Sequence, residues 1–455
     1  MTEAVAESRP QAAGPSPWTL VSWLFIVVTV GYILIAGVRL TNDTQETMRL
    51  LPYLDYDERV DFAYFYAGAS LAYHGDAAEL YPVPGEITYY PYDPIFDVTQ
   101  DPYALDRLIA RGNYYNPPAL AYLHSPLAAM NFKNAFWTFS AFSVAALAGF
   151  IGLTWWSGRG IPELPLLILG ILTFRPVHEA LIMGHSALFF CLALTAGFLL
   201  LRARHEVLAG LCFSLLALKP QWAVLPGLFL LVRGEWKTLG TMFVASCVIF
   251  FVPFLIVGLE TFKNYVTFLR WQNGLDLKDA PHMFSWNGFL FKLRGGPLYG
   301  HEPPPAVWTY ALVAATALPL AIVWWSRNYL LGVAATVLAM LLISTHSVWY
   351  DWALLVIAAL FIVLYSRGRS RLIRVEMWVV LLALHISAAQ SIHVLLRPDR
   401  FAIDWHSSGF FSVTPVAFAA LVWLALLALY DNESTFKFPS FINRLRKPQP
   451  VATPT

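Results

Sequence analysis

Residues 18–38 read WTLVSWLFIVVTVGYILIAGV, an uninterrupted apolar block with no charged side chain. A helix rises about 1.5 Å per residue, so a block of this length crosses the roughly 30 Å hydrocarbon core of a bilayer. It is too long for the apolar core of a signal peptide. The stretch before it, Met1 to Pro17, is polar and nearly neutral, so the block reads as a retained first span.

Further apolar blocks follow at Phe136–Trp156, Leu164–Phe174, Ala180–Leu201, Val207–Leu218, Trp222–Val232, Leu239–Val257, Val307–Trp325, Leu330–Ile343, Trp352–Tyr365, Met377–Val394 and Val413–Tyr430. The whole chain agrees: 58% of its 455 residues are apolar, 13% are charged, and the mean hydropathy is +0.56. Soluble domains carry about 25% charged residues. Seventeen Trp and 21 Tyr add side chains suited to bilayer interfaces. The expected fold is an all-α polytopic membrane protein with about 12 transmembrane helices.

Several blocks are shorter than about 20 residues and must be tilted, flanked by interface residues or partly re-entrant. The two runs that meet at Lys219-Pro220 are the clearest case, because a lysine-proline corner cannot sit inside one straight helix. A net charge of +1 says nothing about nucleic acid, but no basic stretch is interleaved with stacking aromatics, so no nucleic-acid partner is expected. Cys191, Cys212 and Cys247 lie inside apolar blocks with neither disulfide nor zinc spacing.

Charge sets an orientation. With the N-terminus inside, the short inner loops hold Arg159, Arg202, Arg204, Arg233, Lys237, Arg327, Arg367, Arg369, Arg371 and Arg374, and the short outer corners hold Arg175 and Lys219. Ten basic residues against two place both tails, 1–17 and 431–455, on the cytoplasmic side of a bacterial-type plasma membrane. Residues 18–430 then form one transmembrane domain with two long extracytoplasmic loops, about 41–135 and 258–306. Loops of that size usually carry function. No internal repeat is visible, which weighs against an inverted-repeat transporter.

The chemistry-bearing residues gather at the outer ends of the spans. Asp61, in Asp61-Phe62-Ala63-Tyr64-Phe65-Tyr66, reads either as a helix-capping residue or as a partly desolvated proton acceptor on an aromatic interfacial helix. Lys219, between two apolar runs, either snorkels to the interface or binds an anion there. Arg175, His178 and His185 lie at a corresponding outer corner and support the anion reading. His346, in Ser344-Thr345-His346-Ser347-Val348-Trp349-Tyr350-Asp351, holds a leaving-group oxygen or caps two helices, and Asp351 falls about a turn and a half further on. Asn116-Pro117-Pro118, followed by Ser125-Pro126-Leu127, reads as a structured corner in the interface. No metal-ligand spacing, phosphate-cradling glycine loop or dinucleotide motif appears, and no inner loop is long enough to fold a nucleotide-sugar domain.

Asp61-Phe62 with Tyr64, Gly75 and Tyr81, then Asn116-Pro-Pro, Ser125-Pro-Leu, Ala209-Gly210, Leu218-Lys219-Pro220-Gln221, Trp236-Lys237 and Ser344-Thr-His346 with Tyr350-Asp351 together resemble glycosyltransferase family 87 of the GT-C superfamily. The resemblance runs from about residue 20 to about residue 430. It implies a GT-C-like bundle and a metal-independent hexosyltransferase taking mannose from polyprenyl-phosphate mannose to a lipid or glycan acceptor on the outer face. It makes Asp61 the catalytic base and His346 a second catalytic residue. Members of that family often carry Gly-Gln at the outer start of the fourth span, where this chain has Gly184-His185. With that donor, Lys219, Arg175 and His185 are candidate phosphate contacts, and Tyr64, Asn116 and Trp286 are candidate substrate contacts. Two other readings stand beside it: a lipid or oligosaccharide transporter or flippase, and an envelope polysaccharide polymerase or ligase.

Overall fold

The computed structural model describes residues 61–81, 114–273, 283–293, 306–344, 346–388 and 413–431, together with Val27, Val30, Gly31, Leu34, Gly37 and Val38, which are helical. Both tails apart from Asp431, the run Tyr89 to Pro94, His282 and the glycine pair at 295–296 lie outside the described residues.

Among the described residues every extended element is a helix, and the one β pairing is an isolated bridge between Met283 and Val348. After α1 (Phe62–His74) and α2 (Pro118–His124) comes α3 (Phe132–Ser157), started by Asn131, whose side chain accepts the Asn134 N–H at 2.9 Å. The bent pair α4 (Leu164–Leu172) and α5 (Arg175–Ile182) leads into α6 (Ala187–Arg202). Then α7 (Glu206–Ser214) and α8 (Val224–Arg233) flank the Lys219 corner, followed by α9 (Trp236–Val257), α10 (Leu259–Asn273), α11 (Trp286–Leu293) and α12 (Ala306–Trp325). The chain closes with α13 (Tyr329–Ile343), a 3₁₀ turn at Trp349–Leu354 leading into α14 (Leu355–Ser366), α15 (Arg371–Ala388) and α16 (Val413–Asp431).

Burial separates the centre of the bundle from its rim. α13 and α14 are buried nearly all round. By contrast α9 is apolar along its length yet buries only Thr238, Met242 and Phe254, leaving Phe243 and Leu255 67% and 69% exposed. An apolar helix bare on most of its surface is stable against hydrocarbon, not against water. Among the described residues five helices are long and apolar enough to cross a membrane, or six if the bent α4–α5 pair is one span. Among the described residues most apolar blocks of the sequence coincide with helices, although Ala180–Leu201 is broken between Ile182 and Ala187, and the count of about twelve crossings exceeds the helices that reach span length. α7 with its 3₁₀ extension to Leu218 and α8 are the clearest cases. At about 1.5 Å per residue they are roughly 20 and 15 Å long, too short to cross singly. They are two arms that meet at Lys219.

The long first loop is also more structured than a loop. Its described parts form α1, α2 and the 3₁₀ turns Ala77–Leu80 and Ser125–Ala129. Nine of the thirteen residues of α1 are buried, so this helix packs inside the protein instead of lying on the membrane surface. In the second long loop, α10 and α11 occupy most of the described sequence.

α7 is seated against α9 through Gly210. A Cβ there would meet the Thr238 carbonyl oxygen and the Thr241 Cβ, each at 2.7 Å. Small residues allow this backbone approach between membrane helices. Gly210→Val is expected to push the arm that carries Lys219 off α9, costing about 1–3 kcal/mol. A thermal melt of the purified protein in detergent checks this; an unchanged midpoint would show that the contact is not needed.

Candidate active site

Asp61 is delivered by the docking of α1 on the turn between α5 and α6. The Phe62 N–H donates to the Met183 carbonyl at 2.9 Å, and the Phe62 ring packs among Phe132, Phe136 and Phe139. Gly184 makes this possible twice over. Its φ is +62°, and a Cβ on it would lie 2.6 Å from the Phe62 Cβ. Asp61 occupies the N-cap position of α1 without using its side chain to cap the helix. The Tyr350 hydroxyl bears on its carboxylate and favours the ionised form.

Lys219 arrives from the opposite side. The 3₁₀ turn Leu215–Leu218 ends on it, and Pro220 prevents the helix from continuing. The ammonium does not snorkel: Lys219 is 8% exposed, and its Nζ donates to Asp351 Oδ1 at 2.8 Å. It lies 3.0 Å from His185 Nε2 and 4.4 Å above the Trp222 ring, a cation–π contact. Asp351 is fully buried, and its second oxygen accepts the Val348 N–H at 3.2 Å, which ties down the 3₁₀ turn.

His185 completes the centre. Its Nδ1 lies 3.1 Å from the Ala187 N, and its Nε2 lies 3.0 Å from the Lys219 Nζ and 3.8 Å from Asp351 Oδ1. Burial first, then Lys219 and His346, hold this imidazole well below the ordinary histidine range, so it is neutral. Its ring lies 4.0 Å from Tyr350 at 30°, with Phe65 at 5.8 Å on the α1 side.

One ammonium therefore faces two carboxyls. Asp351 takes the close contact. The Asp61 carboxyl is pushed up to about 6, chiefly by burial. Asp351 adds to the rise, while the Tyr350 hydroxyl, Lys219 and His346 oppose it. Asp61 keeps part of its own surface accessible although the surrounding protein desolvates its charge. A carboxyl that ionises near pH 6 is a competent general base.

Beyond His346 the site is walled by aromatics from the two long loops. Tyr115 stacks on Phe268 of α10 at 5.5 Å and 15°, and stands 6.2 Å from His346. The Tyr81 hydroxyl donates to the Asn116 carbonyl at 2.6 Å, so Asn116 enters this wall through its backbone.

Four residues singled out in the sequence thus converge: Asp61, His185, Lys219 and His346. Tyr350 and Asp351 join them without having been singled out as site residues. The others sit differently. Arg175 pairs with Glu179 on its own helix at 3.0 Å. Tyr64 is half-buried on the first turn of α1, its N–H bonded to the Asp61 carbonyl. Trp286 is 3% exposed, donates its indole N–H to Thr316 at 2.7 Å and packs on Phe289 and Phe418, so it offers no open face to a sugar. Among the described residues no three His, Cys, Asp or Glu side chains are grouped to hold a metal ion.

The model of glycosyltransferase family 87 matches residues 114–345, about half the chain, and this stretch holds His185 and Lys219. No curated protein and no solved structure matches the chain.

Removing one partner of a buried ion pair leaves an uncompensated charge, at a cost of about 3–5 kcal/mol. Lys219→Met and Asp351→Leu are each expected to lower the melting temperature sharply. The double variant is expected to recover much of the loss while remaining inactive. Equal destabilisation in the double variant would argue against the pair as a coupled unit.

Proposed function

The chain belongs to glycosyltransferase family 87, and on that footing we propose how it transfers its sugar. Membership makes it a membrane glycosyltransferase with a sugar donor and an acceptor. The proposed donor is polyprenyl-phosphate mannose and the proposed acceptor a lipid or glycan hydroxyl. The uncapped Asp61 carboxylate beside a buried lysine is the observation that carries this reading. One group takes a proton and the other meets a negative charge.

In the proposed step the acceptor hydroxyl attacks the anomeric carbon, the bond from that carbon to the phosphate oxygen breaks, and Asp61 takes the hydroxyl proton. Polyprenyl phosphate leaves with the bonding electrons. Lys219 faces its charge, a stabilisation that grows as the bond breaks. This positive charge comes from the protein itself, in keeping with a metal-independent reaction. A retaining double displacement needs a second carboxylate as nucleophile. Asp351, the neighbouring carboxylate, is committed to Lys219 and Val348. A single inverting displacement fits better.

The placement of charge supports an extracytoplasmic reaction and cytoplasmic termini. α6, α8 and α14 run from the Asp61–Lys219 end to Arg202, Arg233 and Arg367 at the other. The basic loop residues thus lie at the opposite end from the site, as the positive-inside rule requires of an outward-facing centre.

The test is transfer of labelled mannose from polyprenyl-phosphate mannose by the purified full-length chain, with extracted envelope lipids as acceptors. Asp61→Asn is expected to cut turnover by a factor of about 10²–10⁴. The wild-type rate is expected to rise with pH through about 6, because only ionised Asp61 accepts the proton. The stability sign is opposite. The native carboxyl holds its proton more tightly than the unfolded chain, whose value is near 3.8, so stability falls as pH rises from about 4 to 6. Asp61→Asn is expected to flatten that fall. Wild-type turnover in Asp61→Asn would sink the base assignment.

A further inference from the structure

The apolar surfaces of the bundle do not close everywhere. α4, α14 and α15 border an open cleft of about 570 Å³, walled by Leu167 and Ile171 of α4, Val356 and Ala359 of α14, and Trp378 and Leu381 of α15. The imidazole among its lining residues, His385, turns its Nε2 to the Gly170 carbonyl at 3.2 Å. A wall of this composition has too few polar partners to order water and suits hydrocarbon. α4 is nine residues long, roughly 13 Å at 1.5 Å per residue. That is close to the depth of one leaflet of a roughly 30 Å hydrocarbon core.

One end of the cleft is basic. The turns joining α3 to α4 and α14 to α15 meet there: Arg374 bonds Glu163 at 3.2 Å, and a Cβ on Gly160 would lie 3.6 Å from Arg367 Nη2. Trp378, in the wall, stands one helical turn beyond Arg374, so the cleft begins beside these turns. Asp431 neutralises Arg369, and Glu163 neutralises Arg374. Arg159 and Arg367 are exposed and make no ion pair among the described residues. Trp155 and Trp156, in the last turn of α3, are 51% and 58% exposed. Exposed indoles mark the bilayer interface, which sets Arg159 and Arg367 at headgroup depth.

We propose that the groove between α4, α14 and α15 binds an anionic glycerophospholipid, its phosphate on Arg159 and Arg367 and one acyl chain in the cleft. Guanidinium suits phosphate because its planar N–H donors bond two oxygens at once. A zwitterionic lipid offers the same phosphate but carries an ammonium that the arginines repel. The isoprenoid chain of a sugar donor is a poorer match. Lys219, which faces the donor phosphate in the proposed reaction, pairs with Asp351 just before the start of α14, whereas Arg367 lies at its far end. The lipid site and the transfer reaction therefore stand or fall independently.

The test uses the full chain, delipidated in detergent, and needs no sugar donor. Native mass spectrometry is expected to show phosphatidylglycerol retained in preference to phosphatidylcholine. The double variant Arg159→Gln, Arg367→Gln is expected to weaken phosphatidylglycerol binding roughly thirtyfold while phosphatidylcholine binding stays as it was. Phosphatidylglycerol with a diazirine on its acyl chain is expected to crosslink to the peptides carrying Leu167, Ala359 and Trp378. Ala359→Phe, which fills the cleft, is expected to abolish those crosslinks; if it does not fold, the wild-type crosslink map decides. Equal retention of the two lipids, or crosslinks spread around the bundle, would show an ordinary lipid annulus and overturn the proposal. Displacement of the probe by polyprenyl phosphate but not by unlabelled phosphatidylglycerol would give the cleft to an isoprenoid chain and overturn it equally.

Discussion

A lysine ammonium and an aspartate carboxylate 2.8 Å apart, 132 positions apart in sequence and both buried, impose conditions on everything around them. Removing two charges from water is expensive, and their attraction offsets the cost only when further hydrogen bonds satisfy the remaining atoms. Here the remaining Asp351 oxygen is satisfied by the Val348 N–H, and the Lys219 ammonium rests on Trp222 beside a neutral His185. Each supporting group depends on local chain geometry. Pro220 ends the helical run at Lys219, Gly184 takes the left-handed turn before His185, and the 3₁₀ turn at Trp349–Leu354 aligns Tyr350 with Asp351. Through these supports the pair holds three parts of the bundle in register.

The other end of the bundle is fastened independently. Asp431, at the end of α16, accepts two bonds from Arg369 at 2.9 and 2.7 Å and one from Tyr365 at 2.9 Å. Arg374 bonds Glu163 at 3.2 Å, and Arg233 donates to the Arg327 carbonyl at 3.1 Å. Between these two polar ends most helix contacts are apolar, which packs well but specifies axial position poorly, and single bonds such as Trp324 Nε1 to Thr336 and Trp286 Nε1 to Thr316 punctuate them. The polar ends supply that specification, as interhelical hydrogen bonds do in membrane bundles. One of the two ends also holds the candidate active site.

The helices were legible because apolar blocks in a membrane protein are long and uninterrupted, so even block boundaries such as Val307–Trp325 and Leu330–Ile343 fall within a residue of α12 and α13. Which blocks cross was less legible, since crossing depends on length and tilt: the two short runs that meet at Lys219 form α7 and α8, both below span length. Site residues divided along similar lines. Asp61, His185, Lys219 and His346 were visible as polar interruptions at block ends. Asp351 was discounted because an α-helical spacing from His346 put it on another face. The chain there forms a loop and a 3₁₀ turn, for which that spacing does not apply. Whether Lys219 snorkels or is buried was undecidable from its neighbours, because the answer lies in Asp351. Trp286 had the composition of a sugar platform, but its partners, Thr316 and Phe418, come from distant helices.

The ion pair also bears on how a base can be kept weak until it is needed. In the structure Lys219 shares its charge between Asp351, which it touches, and Asp61, whose ionisation it favours from further away. Under the proposed reaction a donor phosphate enters beside Lys219 and brings negative charge into the same buried space. Coulomb's law in a low-dielectric site then raises the proton affinity of Asp61 above its resting value near 6. A carboxylate with higher proton affinity is a stronger base, so the donor activates the group that deprotonates the acceptor. Linkage requires the converse: protonating Asp61 must favour phosphate binding by the same free energy. Under that reading, a single lysine facing two carboxyls couples donor occupancy to acceptor activation.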